Sequence, residues 1–223
     1  VRWIHPDGVR VAGAFFEVVE ELGLVDQLTH HLLAELTDRR LSSSAIAPLP
    51  ISVNVAPDHL RGLIERYEDT EVLSGLMLEI TEQARFVENV DGVNRVIARA
   101  RAAGARVLLD DFGVGFSSLA RAARLDVDGY KLDRIFIAEL ATDRDARAVM
   151  AGVAEIASRQ GREVIAEGVE TMEQASILAD FGVATAQGFL YSPAVSFEAF
   201  EELLAGRNYG PTPRVDNRDR IWH

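Results

Sequence analysis

The stretch RVLLDDFGVGFSSL, Arg106–Leu119, decides how the rest of the chain is read. Val107, Leu108 and Leu109 form an apolar run of the kind buried in a parallel sheet. Asp110 and Asp111 stand where that strand leaves the core. Gly113 and Gly115 permit a tight loop, and Ser117 and Ser118 offer a helix cap before Leu119. Adjacent carboxylates repel, and without compensation one of them holds its proton above the usual pKa. Two remedies fit the residues alone: a hard divalent cation such as Mg²⁺ or Mn²⁺, or salt bridging and capping beside a glycine turn.

Outward from that stretch, six short apolar strands alternate with helices. The strands are expected at Ile51–Val55, Leu76–Thr81, Val107–Asp111, Gly129–Asp133, Glu163–Ala166 and Ala184–Gly188. Helices are expected at Ala14–Leu22, Val25–Glu35, His59–Tyr67, Val90–Ala103, Leu119–Arg124, Asp145–Gln160, Met172–Phe181 and Phe197–Leu204. Trp3–Gly8 reads as a loop, with His5-Pro6-Asp7-Gly8 as its turn signals. This rhythm predicts an α/β protein with a parallel sheet. No hairpin signal separates the six strands, and no glycine-rich dinucleotide fingerprint follows the first, which weakens a doubly wound reading.

Composition sets the outer limits. The chain has 223 residues, 48% of them hydrophobic, with a formal charge of −12 and no cysteine. An acidic surface argues against binding a nucleic acid polymer. Disulfides and thiolate metal sites are excluded, in keeping with a cytoplasmic protein. No apolar run reaches the roughly 20 residues that cross a bilayer, so no direct membrane insertion is expected. The chain begins at Val1 rather than Met, which suggests a piece of a longer polypeptide. Residues 206–223, rich in Gly, Pro, Asn and Arg, read as a flexible tail behind a domain spanning 1–205.

Each expected strand carries a polar residue at, near or just past its C-terminal end: Asn54, Glu79, Asp110 with Asp111, Lys131, Glu167 and Gln187. A single one is ordinarily a helix cap. A parallel barrel gathers all its strand C-termini on one face, where such residues do chemistry. Asn54, Glu79 and Asp110 suit one hard cation, and Asp110 with Asp111 a second. Two cations roughly 4 Å apart activate water and clamp a phosphoryl group. Lys131, flanked by Tyr130 and Leu132, is less suited to a snorkelling surface role than to orienting water or offsetting developing charge. Glu167 suits contact with water on a cation. Glu170 and Gln187 read equally well as helix caps and as ligand contacts.

The chain resembles the EAL domain family of cyclic di-GMP phosphodiesterases. The resemblance is carried by VRWIHP (Val1–Pro6), SVNVAP (Ser52–Pro57), LEITE (Leu78–Glu82), DDFGVGFSSL (Asp110–Leu119), YKLDRIFI (Tyr130–Ile137), AEGVET (Ala166–Thr171) and QGFLYSP (Gln187–Pro193). It implies a modified TIM-type (β/α)8 barrel, two Mg²⁺ or Mn²⁺ ions, and hydrolysis of cyclic di-GMP to linear pGpG. By the same resemblance Asn54, Glu79 and Asp110 match metal ligands, and Asp111 matches a ligand of the second metal. Lys131 matches the lysine beside the nucleophilic water. Glu167 and Gln187 match site residues, Glu82 the glutamate that steadies the loop after the paired aspartates, and Arg2 an arginine on substrate phosphate. Homodimerisation and fusion to sensory or GGDEF domains are implied as well.

Two departures stand out. The E-A-L signature, which in the family lies immediately before the residue matched by Val1, is not in the chain. Its glutamate is a metal ligand there, so a nucleotide-binding sensor or dimerisation module is the alternative expectation. Six of eight barrel strands are accounted for, the first two being expected upstream or from another chain. Val114 replaces the usual threonine of the D-D-F-G-T-G loop. That removes a hydroxyl but no metal ligand, and implies at most altered loop dynamics or dimer coupling.

Overall fold

A computed structural model describes residues 2–5, 8–81, 89–112 and 124–206. The chain divides into two compact units, Val1–Ala47 and Pro48–His223.

The first unit opens on an antiparallel hairpin of β1 (Arg2–His5) and β2 (Gly8–Val11), with Arg2 opposite Val11 and His5 opposite Gly8. The expected Trp3–Gly8 loop is therefore corrected. His5 and Gly8, two of the four turn signals, belong to the strands themselves, and Trp, Ile and Val are strand-forming residue types. Helix α1 (Phe16–Glu21) follows, and then α2 (Val25–Ser42). The second helix runs seven residues past its expected end at Glu35. Apolar spacing fades there, but backbone pairing continues, helped by the Glu35–Arg39 pair at i,i+4. Arg40 donates to the Ala47 carbonyl at 3.1 Å and fastens the loop that follows.

The second unit alternates strand and helix: β3 (Ile51–Asn54), α3 (Pro57–Tyr67), β4 (Leu76–Thr81), α4 (Val90–Ala102), β5 (Arg106–Asp110), β6 (Gly129–Leu132), α5 (Arg134–Ala138), α6 (Arg144–Arg159), β7 (Glu163–Ala166), α7 (Met172–Asp180), β8 (Thr185–Ala186) and α8 (Phe197–Gly206). The six strands form one parallel sheet in the order β3-β4-β5-β6-β7-β8. Each strand pairs with the next in sequence and the order never reverses. A doubly wound sheet reverses at its switch point, whereas a curling TIM-type sheet does not. The expected α/β barrel topology is thus observed as six consecutive strands of a partial barrel.

Strand alternation builds the core. Leu78, Ile80, Val107, Leu109, Tyr130 and Leu132 are buried on one face of their strands. The helices bury matching stripes, among them Val93, Val96, Ile97 and Ala100 of α4 and Met150, Val153 and Ala157 of α6. On the other sheet face Met77, Leu108 and Ile165 form a small apolar cluster. Two residues further along the same strands come Glu79, Asp110 and Glu167, so the cluster is the floor beneath the strand-end carboxylates.

Some boundaries differ from expectation. The last strand is only two residues long, and α5 occupies 134–138, where no helix was expected. Asp133 is its cap rather than the end of β6, its carboxylate accepting the Ile135 N–H at 2.8 Å. Val55 and Asp111 likewise fall just outside their strands. The expected cap at Ser117 and Ser118, Val114, residues 119–123 of the expected short helix and the 207–223 tail lie outside the described residues.

Candidate active site

The reactive face begins with a parallel pair in register. Asn54 at the end of β3 is opposite Glu79 of β4, and the Val55 N–H donates to the Glu79 carbonyl at 2.8 Å. Thr81 of β4 is opposite Asp110 of β5. Lys131 of β6 then reaches across. Its Nζ lies 2.6 Å from Glu79 Oε2 and 3.3 Å from Asp110 Oδ1, and also bonds Glu167 Oε1. The side chains of Lys131 and Glu79 are each 5% exposed, Asp110 14% and Glu167 25%. Four residues expected at strand ends thus meet around one ammonium.

The electrostatics follow from that arrangement. Burial alone would depress the Lys131 pKa. Glu79, Glu167 and Asp110 together outweigh it, and the ammonium is held above its ordinary pKa. Burial lifts the Glu167 carboxyl above its usual range, and Lys131 pulls it back part of the way. Asp111 is also raised, by desolvation first and then by the charges of Asp110 and Asp133, with Lys131 opposing. The mutual repulsion expected of the Asp110–Asp111 pair is therefore present. Lys131 Nζ pairs with Asp110 Oδ1 at 3.3 Å, and its charge also opposes the rise at Asp111.

Asp111 also has an unusual backbone. Its φ of +54° makes it the one non-glycine residue at positive φ among the described residues. Its N–H donates to Asp110 Oδ1 at 3.0 Å, and the next N–H, of Phe112, donates to the Lys131 carbonyl at 3.0 Å.

The β7 and β8 ends are braced by backbone. The Glu167 N–H donates to the Leu132 carbonyl at 3.0 Å, the Gln187 N–H to Ala166 at 2.7 Å, and the Val169 N–H to Gln187 at 3.0 Å. Two glycines permit this. A Cβ on Gly168 (φ +70°) would lie 2.4 Å from Arg134 Cβ, and one on Gly188 would lie 2.2 Å from the Val169 carbonyl oxygen. The turn is closed by Gln174, whose Oε1 accepts the Glu170 and Thr171 N–H groups while its Nε2 donates to the Ile137 carbonyl. Thr171 and Gln174 together form a capping box on α7.

Not every expected residue joins the cluster. Asn54 and Gln187 stand at the same strand ends, with exposed side chains. Glu170 is exposed, and capping of α7 falls to Thr171 and Gln174 rather than to its carboxylate. Arg2 belongs to β1 of the first unit, and its side chain lies outside the described residues, as does all of Glu82. Asp133 was missed. Its signal is its place two residues after Lys131, on the same side of the strand alternation. Gln174, buried and with three side-chain hydrogen bonds, has no signal beyond its place three residues after Thr171.

The donor set bears on cation binding. Asn54, Glu79, Asp110 and Asp111 offer only hard oxygen atoms, which suit Mg²⁺ or Mn²⁺. One ammonium stands against the carboxylates of Glu79, Asp110, Asp111 and Glu167, which leaves the cluster acidic. Desolvation and the neighbouring carboxylates raise Asp111, a direction that nearby positive charge opposes. Among the described residues no group of three or more acidic or His side chains is arranged to hold a metal ion as it stands, since Lys131 occupies the centre of the carboxylates. The oxygen donors of Glu79, Asp110, Asp111 and the Asn54 amide are of the type that hard divalent cations prefer.

A parallel α/β partial barrel with a lysine-centred acidic cluster at its strand C-termini defines a class, the TIM-like barrels with a carboxylate site. Within it, the EAL domain family model matches residues 1–194, and the chain belongs to the EAL domain family. It is 33% identical over 214 residues to the cyclic di-GMP phosphodiesterase RocR of Pseudomonas aeruginosa, covering 92% of this chain and 54% of that protein. It is 32% identical over 225 residues to the uncharacterized protein Rv1354c of Mycobacterium tuberculosis, covering 95% of this chain and 36% of that one. The chain thus spans between about a third and about half of these curated relatives' lengths. Among solved structures, the PaMucR phosphodiesterase in complex with c-di-GMP superposes with a TM-score of 0.75 at 31% identity, covering 89% of this chain and 84% of that chain.

Proposed function

We propose that this chain hydrolyses cyclic di-GMP to linear pGpG with the aid of two divalent cations, Mg²⁺ or Mn²⁺. The observation that carries the reading is the convergence of Glu79, Asp110 and Glu167 on Lys131 Nζ at the strand C-termini. Relatives named as cyclic di-GMP phosphodiesterases and a structural neighbour bound to c-di-GMP supply the substrate class.

Asn54, Glu79 and Asp110 would hold one cation, and Asp110 with Asp111 the other. Bound there, the cations supply Lewis-acid activation of water and charge neutralisation at the phosphodiester. Water adds to one phosphorus while the bond to the 3′ oxygen breaks, and the departing oxygen takes up a proton. Lys131, held protonated by its three carboxylates, donates a hydrogen bond to the reacting water or to the phosphoryl oxygen on which charge grows. Glu167, a carboxylate of raised pKa, accepts from that water and orients it. Arg2, Gln187 and Glu170 would contact substrate, Arg2 through a guanidinium fork suited to phosphate. Glu82 would steady the loop behind Asp111.

The proposed context is cytoplasmic, with residues 1–205 as the domain and 206–223 as a tail. Homodimerisation and association with sensory or GGDEF domains belong to the same proposal. No helix among the described residues is long and apolar enough to cross a membrane.

The test is incubation with cyclic di-GMP and Mg²⁺ or Mn²⁺, with product resolved by liquid chromatography. Formation of pGpG supports the reading. Nucleotide binding by calorimetry without pGpG would replace it with a cyclic di-GMP sensor.

A further inference from the structure

Tyr130 precedes Lys131 on β6 and, by strand alternation, faces the other side of the sheet. Its ring is fully buried and stacks on Phe112, with centroids 4.1 Å apart and planes inclined by 21°. Its hydroxyl donates to Gln160 Oε1 at 2.8 Å and accepts from Arg162 Nη1. The Arg162 guanidinium lies 5.2 Å from the Tyr130 ring centroid, and its Nη2 donates to the Leu125 carbonyl at 2.5 Å. One guanidinium therefore secures both ends of the span between Phe112 and Leu125: Leu125 directly, and Phe112 through Tyr130.

Phe112 follows Asp111, the residue with the left-handed backbone. Aspartate tolerates that conformation better than most residues, but it is still sparsely populated, and neighbouring contacts add to its hold. The Phe112 N–H on the Lys131 carbonyl is one restraint. The Phe112 ring, anchored on Tyr130, is the other. Arginine suits the far end of this chain of contacts, because a planar fork can serve two acceptors while lying against an aromatic ring.

We infer that Arg162, on the opposite side of the sheet from the carboxylates, is a positioning residue: through Tyr130 and Phe112 it holds the turn after β5 that carries Asp111. The consequence for ligand binding rests on the proposed role of Asp111 as a cation ligand.

The test has two readouts on the whole chain: amide hydrogen exchange at Phe112 without metal, and Mn²⁺ affinity by titration without nucleotide. Arg162→Met is expected to speed Phe112 exchange about tenfold and weaken Mn²⁺ binding about tenfold, the scale for loss of a partner behind a metal ligand. Tyr130→Phe, which keeps the ring and deletes the hydroxyl, should move both in the same direction. Arg99→Met, which removes an exposed ion pair elsewhere, should move neither and so controls for general destabilisation. Unchanged exchange, or faster exchange with unchanged Mn²⁺ affinity, would overturn the inference. If Arg162→Met does not fold, the same outcomes in Tyr130→Phe decide. A parent chain that binds no Mn²⁺ would contradict the cation reading alone, and Phe112 exchange would then decide the positioning role.

Discussion

Lys131 Nζ lies 2.6 Å from Glu79 Oε2 although β5 runs between their strands. Strands two apart in a flat sheet are separated by about 9–10 Å. Contact therefore requires inward curvature and long side chains on the concave face. The same curvature sets Asp110, on the intervening strand, 3.3 Å from the ammonium.

Removing the cation from this cluster should be costly. Lys131→Met leaves three partly or wholly buried carboxylates facing one another, and loss of one partner of a buried ion pair typically costs about 3–5 kcal/mol. Glu79→Gln keeps the volume and a hydrogen bond to Nζ and should cost less. Urea midpoints should rank parent above Glu79→Gln above Lys131→Met; a Lys131→Met midpoint equal to the parent would show that the contacts contribute little to folding.

The glycines behind Glu167 should differ in severity. Gly188→Ala places a methyl within 2.7 Å of three Val169 backbone atoms, whereas Gly168→Ala meets Arg134 Cβ at 2.4 Å and is relieved only by a shift at the start of α5. Losses of about 3 kcal/mol or more for Gly188→Ala and about 1–3 for Gly168→Ala are expected. Thermal unfolding checks the order, and equal losses would mean that β7 and β8 separate easily.

Gln174 is the larger contributor to the capping box. Thr171→Ala removes one cap bond, worth about 1 kcal/mol. Gln174→Leu leaves the Glu170 and Thr171 N–H groups and the Ile137 carbonyl without their partner, at about 1–3 kcal/mol for each group left buried and unsatisfied. Because this turn carries Glu167, turnover should also fall in Gln174→Leu and stay near the parent rate in Thr171→Ala.

The Glu68–Arg99 contact should show in acid. The Arg99 hydrogen bond holds the Glu68 carboxyl below its ordinary 4.5, with burial opposing and charge attraction assisting. A pKa lower in the folded state means stability that is present above the unfolded value and lost as pH falls through the folded one. Arg99→Met should therefore flatten the loss of stability below about pH 4.5 while leaving its slope near neutrality unchanged. The pair is exposed, so added salt should shrink the difference.

Much of this architecture was legible because few forces compete within it. Leu76–Thr81 and Glu163–Ala166 were found at their observed limits, since apolar runs between helices leave a strand little else to be. Glu79, Asp110, Lys131 and Glu167 meet because a parallel barrel converts position along a strand into position in space. The hairpin of β1 and β2 was read as a loop because its turn residues outweighed a short, weak strand pattern. Residues 134–138 were not read as a helix because Asp133, their cap, also continues the preceding strand. Asp133 was missed as part of the acidic group for the same reason. The Tyr130–Arg162 contact joins residues 32 apart in sequence, and no local pattern encodes it.

The most direct test of the central account compares cyclic di-GMP turnover by the parent chain and Lys131→Met under saturating Mn²⁺. The account predicts pGpG from the parent and a rate lower by about 10² or more in the variant. Equal rates, or a parent chain that binds the nucleotide and releases no pGpG, would contradict it.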